Sequence, residues 1–225
     1  MKILLLGATG RTGKCIIEEA LKKGHKISAI ARNPEKLKNF EIDITKGTPY
    51  DYETVEKAIT GCEAVINTLN VSRKSDNPWA PLAAPKDMIS NSASNAIKAM
   101  EKAGIKRFVA LGTIGAGRSW NKIPLILKLI VSISNLKVAF RDHGKQEEIL
   151  EKSAIDYTIC RAPMLSSKIN DTGAVATPEG KKPASRVLSR NSAAEFFLMI
   201  IENKEHIRET ISLSNKPANQ LTGNN

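Results

Sequence analysis

The chain predicts an α/β architecture: a single domain built on one parallel sheet, doubly wound, with helices on both faces. Three observations carry this. Short apolar runs each end in a glycine or a polar residue. Amphipathic stretches closed by glycine follow them. The two patterns alternate for about 160 residues, as a parallel sheet with crossover helices requires. At 225 residues, with ordinary apolar (41%) and charged (25%) content, the chain can bury one good core.

The run KILLLG (2–7) is a buried parallel strand. From Thr12 to Lys23 a helix carries Cys15, Ile16, Ala20 and Leu21 on one side, and Gly24 closes it. HKISAIAR (25–32) is the second strand. In NPEKLKNF (33–40), Asn33 is cap-like and Pro34 opens a short helix. YETVEKAITG (52–61) is a helix with a glycine stop, and EAVINTL (63–69) is a third main strand. KDMISNSASNAIKAMEKAG (86–104) is a long helix, and IKRFVALGT (105–113) is a fourth main strand. Lys137 to Ser153 is helical and leads into IDYTICRAP (155–163). The core is expected to span about residues 1–163, with substrate-side elements over 164–214 and a frayed polar tail over 215–225.

Two irregular segments follow strand ends, where ligands bind in open α/β sheets. One is NVSRKSDNPWAPLAAP (70–85), with three prolines and Trp79; the other is GTIGAGRSWNKIP (112–124). Loops of that length are more often functional than idle. Trp79 reads equally as a lid over a flat substrate and as a pin for its loop. IPLILKLIVSI (123–133) is apolar enough for a core helix, a pocket wall or a dimer face.

Composition excludes several classes. No run approaches the roughly 18 apolar residues of a membrane span, and the amino terminus lacks a cleavage-site pattern, so a cytoplasmic protein without a membrane partner is expected. Cys15, Cys62 and Cys160 form no C-x-x-C pair and only three histidines accompany them, so no metal site is expected. The net charge of +11 is spread along every segment and aromatic content is 4%, which favours a lysine-rich surface over a nucleic-acid face.

The turn GATGRTGK (7–14) admits two readings. A triphosphate loop, G-x-x-x-x-G-K-[ST], needs glycine where Ala8 stands and a hydroxyl where Cys15 stands, so it fails twice. A dinucleotide turn fits. Gly7 permits the tight bend, Gly10 lets the backbone approach a pyrophosphate, and Gly13 lets the helix pack on the sheet. The helix amino terminus then faces the anion. An NAD-preferring site carries an acidic residue at the end of the second strand; here stand Arg32 and Asn33, which suit a 2′-phosphate. Arg11 supplies a second positive group. The expected cofactor is NADP(H).

With GATGRTG, AVINTL, AIKAMEKAGIKRFVALGTIGAG, RDHGKQEEILEKSAIDYTICRAP and SRVLSRNSAAEFFLMII in this order, the chain resembles the atypical short-chain dehydrogenase/reductases with an NAD(P)-binding, NmrA-like Rossmann core. The nearest likeness is to the biliverdin-IXβ/flavin reductase branch. The resemblance implies that Gly7, Ala8, Thr9, Gly10, Arg11, Thr12 and Gly13 hold the pyrophosphate and Arg32 the 2′-phosphate. It implies that Leu69, Asn70 and Val71 line the ribose side, that Thr113 lies near the nicotinamide, and that Arg161, Ala162 and Pro163 frame the pocket. The chain departs from the pattern at Thr48, where relatives have an aspartate near the adenine, at Asn70 in place of a glycine, and at Met164 in place of a histidine.

Typical members use Tyr-x-x-x-Lys on one helix face. Lys145 takes the lysine position as a candidate catalytic residue, but Arg141 stands where the tyrosine should be and is no proton donor of matched pKa. An electron-poor, conjugated acceptor of the flavin, quinone or tetrapyrrole kind needs less help from a protein acid, and water can deliver the proton. Thr113 is the candidate for a hydrogen bond to the acceptor. His143 reads as a surface histidine rather than a proton relay. The expected function is an NADPH-dependent reductase of a small-molecule acceptor, acting as a monomer or homodimer. The alternative is a non-catalytic NADP(H)-binding redox sensor; sugar-nucleotide epimerisation ranks last.

Overall fold

The computed structural model describes residues 1–167 and 172–217. Its elements in chain order are β1 (Lys2–Leu6), α1 (Arg11–Lys22), β2 (Lys26–Ala31), β3 (Asp43–Lys46), α2 (Tyr52–Ala58), β4 (Ala64–Asn67), α3 (Met88–Ala103) and β5 (Arg107–Thr113). Then come α4 (Leu125–Ile133), α5 (Leu136–Lys152), β6 (Asp156–Ala162), β7 (Met164–Ser166), β8 (Ala174–Pro178), β9 (Val187–Ser189), α6 (Arg190–Glu202) and β10 (Glu209–Asn215).

The main sheet runs β3-β2-β1-β4-β5-β6-β10-β8, parallel except for the antiparallel β8–β10 pair. Strand order reverses between β1 and β4, which opens a crevice at their carboxyl ends. β1 shows why both faces are covered. Ile3 and Leu5 join the apolar layer shared with α1 and α6, while Leu4 and Leu6 join the layer under α2, α3 and α5. A continuous apolar run is the sequence of a strand buried on both sides.

Helix ends follow the local chemistry. Asp51 caps α2 through the Thr54 amide, and Asn33 accepts from the Glu35 amide where Pro34 opens a 3-10 turn. Gly104, at φ +70°, closes α3. Cys62 and Cys160 are buried, and burial pushes both thiols up, Cys62 to about 11.

Two differences from the sequence reading concern organisation. The sheet does not stop at residue 163: β10 pairs in parallel with β6, and α6 packs against α1. The expected substrate-side segment therefore completes the core, because α6 covers the face that α1 leaves bare. Of the expected tail, residues 218–225 lie outside the described residues, while Asn215 ends β10. IPLILKLIVSI is no core helix. In α4, Val131 is buried but Leu125, Ile126, Leu129 and Ile133 face solvent.

Candidate functional site

A cleft of about 640 Å³ runs along the carboxyl ends of β1, β2, β4 and β5. The glycine turn forms one wall. Gly7 sits at φ +89°, and a Cβ there would lie 2.8 Å from Thr68 Oγ1, so only a glycine lets the β1 end lie this close to the β4 end. A Cβ on Gly13 would meet the Gly7 carbonyl at 2.3 Å, so this glycine seats α1 on the turn. Gly10 differs. Its Cβ would have only the Gly7 carbonyl nearby, at 3.1 Å, and the open side is the cleft. Gly10 is also the N-cap of α1 and brings no side-chain acceptor, so the helix presents its first amides and its positive end to the cleft. These features fit a pyrophosphate.

Cations ring this end. Arg32 is exposed at the tip of β2, with no ion-pair partner among the described residues. Arg11 makes a two-pronged contact with Asp76 of the 70–85 segment, at 2.9 and 3.2 Å, which ties that segment over the turn. Arg190, the first residue of α6, is buried on the cleft wall and donates to Ser167 Oγ at 2.9 Å. Burial first, and then the nearby Arg11, push the Arg190 pKa down. Sequence reading passed over Arg190, since it lies 179 positions from Arg11 and only the α1–α6 packing brings them together.

Of the residues singled out by sequence, Gly7, Thr9, Gly10, Arg11, Thr12, Gly13, Arg32, Thr48, Leu69, Asn70, Val71 and Thr113 line this cleft. Three do not. Ala8 is buried in the core beneath the turn. Arg161 is 2% exposed and points away from the cleft: Nε and Nη2 reach Glu147 at 2.8 Å each, and Nη1 reaches Glu179 at 2.6 Å. Alternation along β6 puts Arg161 on the face opposite Ala162, and Ala162 and Pro163 do line the cleft. Lys145 lies on another cavity altogether, because two positions along a helix turn a side chain about 200° from His143.

His143 is itself a correction, for it is 4% exposed and lines the cleft. Among the described residues its Nδ1 has no hydrogen-bond partner. Burial pushes its pKa down to about 4, so the ring is neutral at physiological pH. Around it, the other buried polar groups of α5 act as braces. Asp142 accepts from the Ile89 and Ser90 amides and so caps α3, while Gln146 Oε1 accepts from Asn67 Nδ2 at 2.6 Å. Asn67 Oδ1 in turn accepts from the Leu69 amide at 3.0 Å, which shapes the chain where it leaves β4 along the cleft.

The 70–85 segment folds back on itself through Lys74 N to Pro81 O and Ala83 N to Ser72 O. Asn135 Nδ2 donates to the Trp79 and Ala80 carbonyls. The segment is thus pinned by its backbone, and the Trp79 side chain, 54% exposed, does not line the cleft. Among the described residues no group of His, Cys, Asp and Glu is placed to hold a metal ion, and no helix is long and apolar enough to cross a membrane.

Residues 7–204 match the model of the NAD(P)H-binding family, and the chain belongs to that family. Photosystem II assembly factor Ycf39 of Guillardia theta is 30% identical over 161 residues, 70% of this chain and 45% of that protein. The Synechocystis protein of the same name is 28% identical over 71% of this chain and 43% of its own length. The chain thus spans less than half the length of these relatives. Among solved structures, ChuY, an anaerobillin reductase from Escherichia coli O157:H7, superposes with a TM-score of 0.78 at 21% identity, covering 97% of this chain and all of that one. A short-chain dehydrogenase/reductase from Veillonella parvula in complex with NADP gives 0.76 at 18% identity over 96% and 98% of the two chains. At such identities the likeness is one of fold.

Proposed function

We propose that this chain is an NADPH-dependent oxidoreductase that delivers a hydride to a small conjugated acceptor of the flavin, quinone or tetrapyrrole class. One observation carries the cofactor preference. Arg32 stands unpaired at the β2 tip, where a carboxylate would select the unphosphorylated ribose. The amides of the first α1 turn suit the pyrophosphate, and Arg11, once parted from Asp76, adds a further charge-assisted contact. The exposed Arg11–Asp76 pair is weak enough to exchange.

A reduced nicotinamide bound here supplies the hydride; the protein's share is orientation and water control. The Thr113 hydroxyl makes no hydrogen bond within the described protein and faces the cleft, where it can hold the acceptor or a water. His143, kept neutral, adds a polar atom without adding charge. No tyrosine is among the residues lining the cleft. That absence supports an acceptor whose conjugation spreads the incoming electron pair, with the balancing proton drawn from water.

The test has two stages. Titrating NADPH and NADH into the wild type should show NADPH bound at least about tenfold more tightly, a difference of about 1.4 kcal/mol, and Arg32→Ala should erase it. Equal affinities in the wild type refute the preference. NADPH oxidation with flavin mononucleotide or a small quinone then supports the reductase. Tight binding of both redox forms without turnover assigns the protein to the sensor class.

A further inference from the structure

A second cavity, of about 560 Å³, lies across α5 from the cleft and shares no lining residue with it. Its inner wall is apolar. Trp120 and Phe140 meet edge to face with centroids 6.5 Å apart, and Val131 of α4 closes one side. Two glycines open the space. A Cβ on Gly115 (φ +99°) would meet the Phe140 ring at 2.8 Å, and one on Gly144 would meet the Gly117 amide nitrogen at 3.0 Å. The loop therefore lies directly on α5, with the aromatic pair facing the void.

The rim has the opposite character. Lys137, Arg141 and Lys145 recur every four residues and so share one face of α5. Among the described residues none of the three has an ion-pair partner, and Glu148 is the only carboxylate on the cavity wall. Like charges at this spacing repel each other and disfavour the helix that carries them. Some exposed cations elsewhere are matched, Arg118 with Glu151 and Glu179 and Lys102 with Glu56, whereas these three converge unmatched on one cavity rim.

We infer that this cavity is a second ligand site, for an amphipathic anion. A flat or acyl apolar body lies against Trp120 and Phe140, and a carboxylate, sulfonate or phosphate group sits among Lys137, Arg141 and Lys145. The volume falls within the range of small-molecule sites, and an aromatic wall beside a few convergent charges is their usual make-up. A bare inorganic anion would leave the aromatic pair uncovered, and an uncharged hydrocarbon would leave the three cations unrelieved. The site is separate from the proposed reductase reading, since it requires no nicotinamide.

The chain has two tryptophans, so Trp79→Phe leaves Trp120 as the sole indole reporter. The probe is 8-anilinonaphthalene-1-sulfonate, titrated into this variant with saturating NADP+ present. The expected result is one saturable site that quenches Trp120 emission, weakened at least tenfold by adding Lys137→Glu and Arg141→Glu. Both positions are exposed, and circular dichroism checks that the fold persists. Absence of saturable quenching, displacement of the probe by NADP+, or unchanged affinity in the charge variant overturns the assignment. Loss of binding in Leu125→Ser/Leu129→Ser with retention in the charge variant also overturns it, by placing the probe on the outer face of α4.

Discussion

The two ends of the cleft are built by opposite means. At the glycine turn the site is backbone: Gly7, Gly10 and Gly13 lie within seven residues, and an added Cβ meets the protein at Gly7 and Gly13 and projects beside the cleft at Gly10. At the α5 end the site is held by side chains. Asp142 caps α3, Gln146 holds Asn67 at the end of β4, and Glu147 clamps Arg161 on β6, so three elements are fixed by one helix turn and its neighbour. One end tolerates no gain of atoms and the other no loss. The physical reason is that a helix amino terminus binds an anion with groups every residue owns, whereas a buried charge needs a specific partner.

The largest effect should come from breaking the side-chain end. Glu147→Ala leaves Arg161 buried with Glu179 alone, which should cost about 3–5 kcal/mol. Burial pushes the Glu147 pKa up, with the Arg161 hydrogen bonds opposing it, so the carboxylate depends on that partner. Urea unfolding measures the loss, and NADPH affinity at low temperature should change little because Glu147 does not line the cleft. A loss under 1 kcal/mol would mean that the pair is not the brace described.

Next is acid sensitivity from His143. The folded pKa is pushed down to about 4, below the ordinary value near 6.5, so the unfolded chain takes the proton first. Its stabilisation is therefore complete above pH 6.5 and is lost as pH falls from there toward 4, by roughly 3 kcal/mol. Unfolding free energies of the wild type and His143→Phe, compared across pH 4–8, isolate this from the carboxylates: the wild type should fall faster. Parallel curves would show an imidazole that titrates normally.

The backbone end sharpens the comparison with a pair. Gly13→Ala places a Cβ 2.3 Å from the Gly7 carbonyl and should destabilise by about 1–3 kcal/mol. Gly10→Ala meets only one atom, at 3.1 Å, and should cost less than about 1 kcal/mol while weakening NADPH at least tenfold. Thermal melts and cofactor titrations separate the two. Similar stability losses in both variants would show that Gly10 serves packing rather than a ligand.

What sequence reasoning could see tracks this division. The turn was legible because its spacing, its strand and its helix are all local, and Arg32 because it ends the neighbouring strand. The α5 end was misread at three places. His143 was expected at the surface and is buried; Arg161 and Lys145 were expected at the cofactor and are directed elsewhere. Each error concerns which side of an element a polar residue faces. An interrupted polar pattern such as RDHGKQEE leaves this open, because buried and exposed polar residues are spelled alike.

By itself, then, the order of residues determined the alternation of strands and helices, the glycine turn after β1, and the cationic tip of β2. These follow from period, capping and backbone freedom, which act over a few neighbours. Tertiary structure alone decided that α6 and β10 complete the core, that Arg190 joins Arg11, that His143 faces the cleft, and that a cationic groove opens behind it. Those outcomes depend on contacts between residues far apart in the chain, and on which partner each buried charge finds.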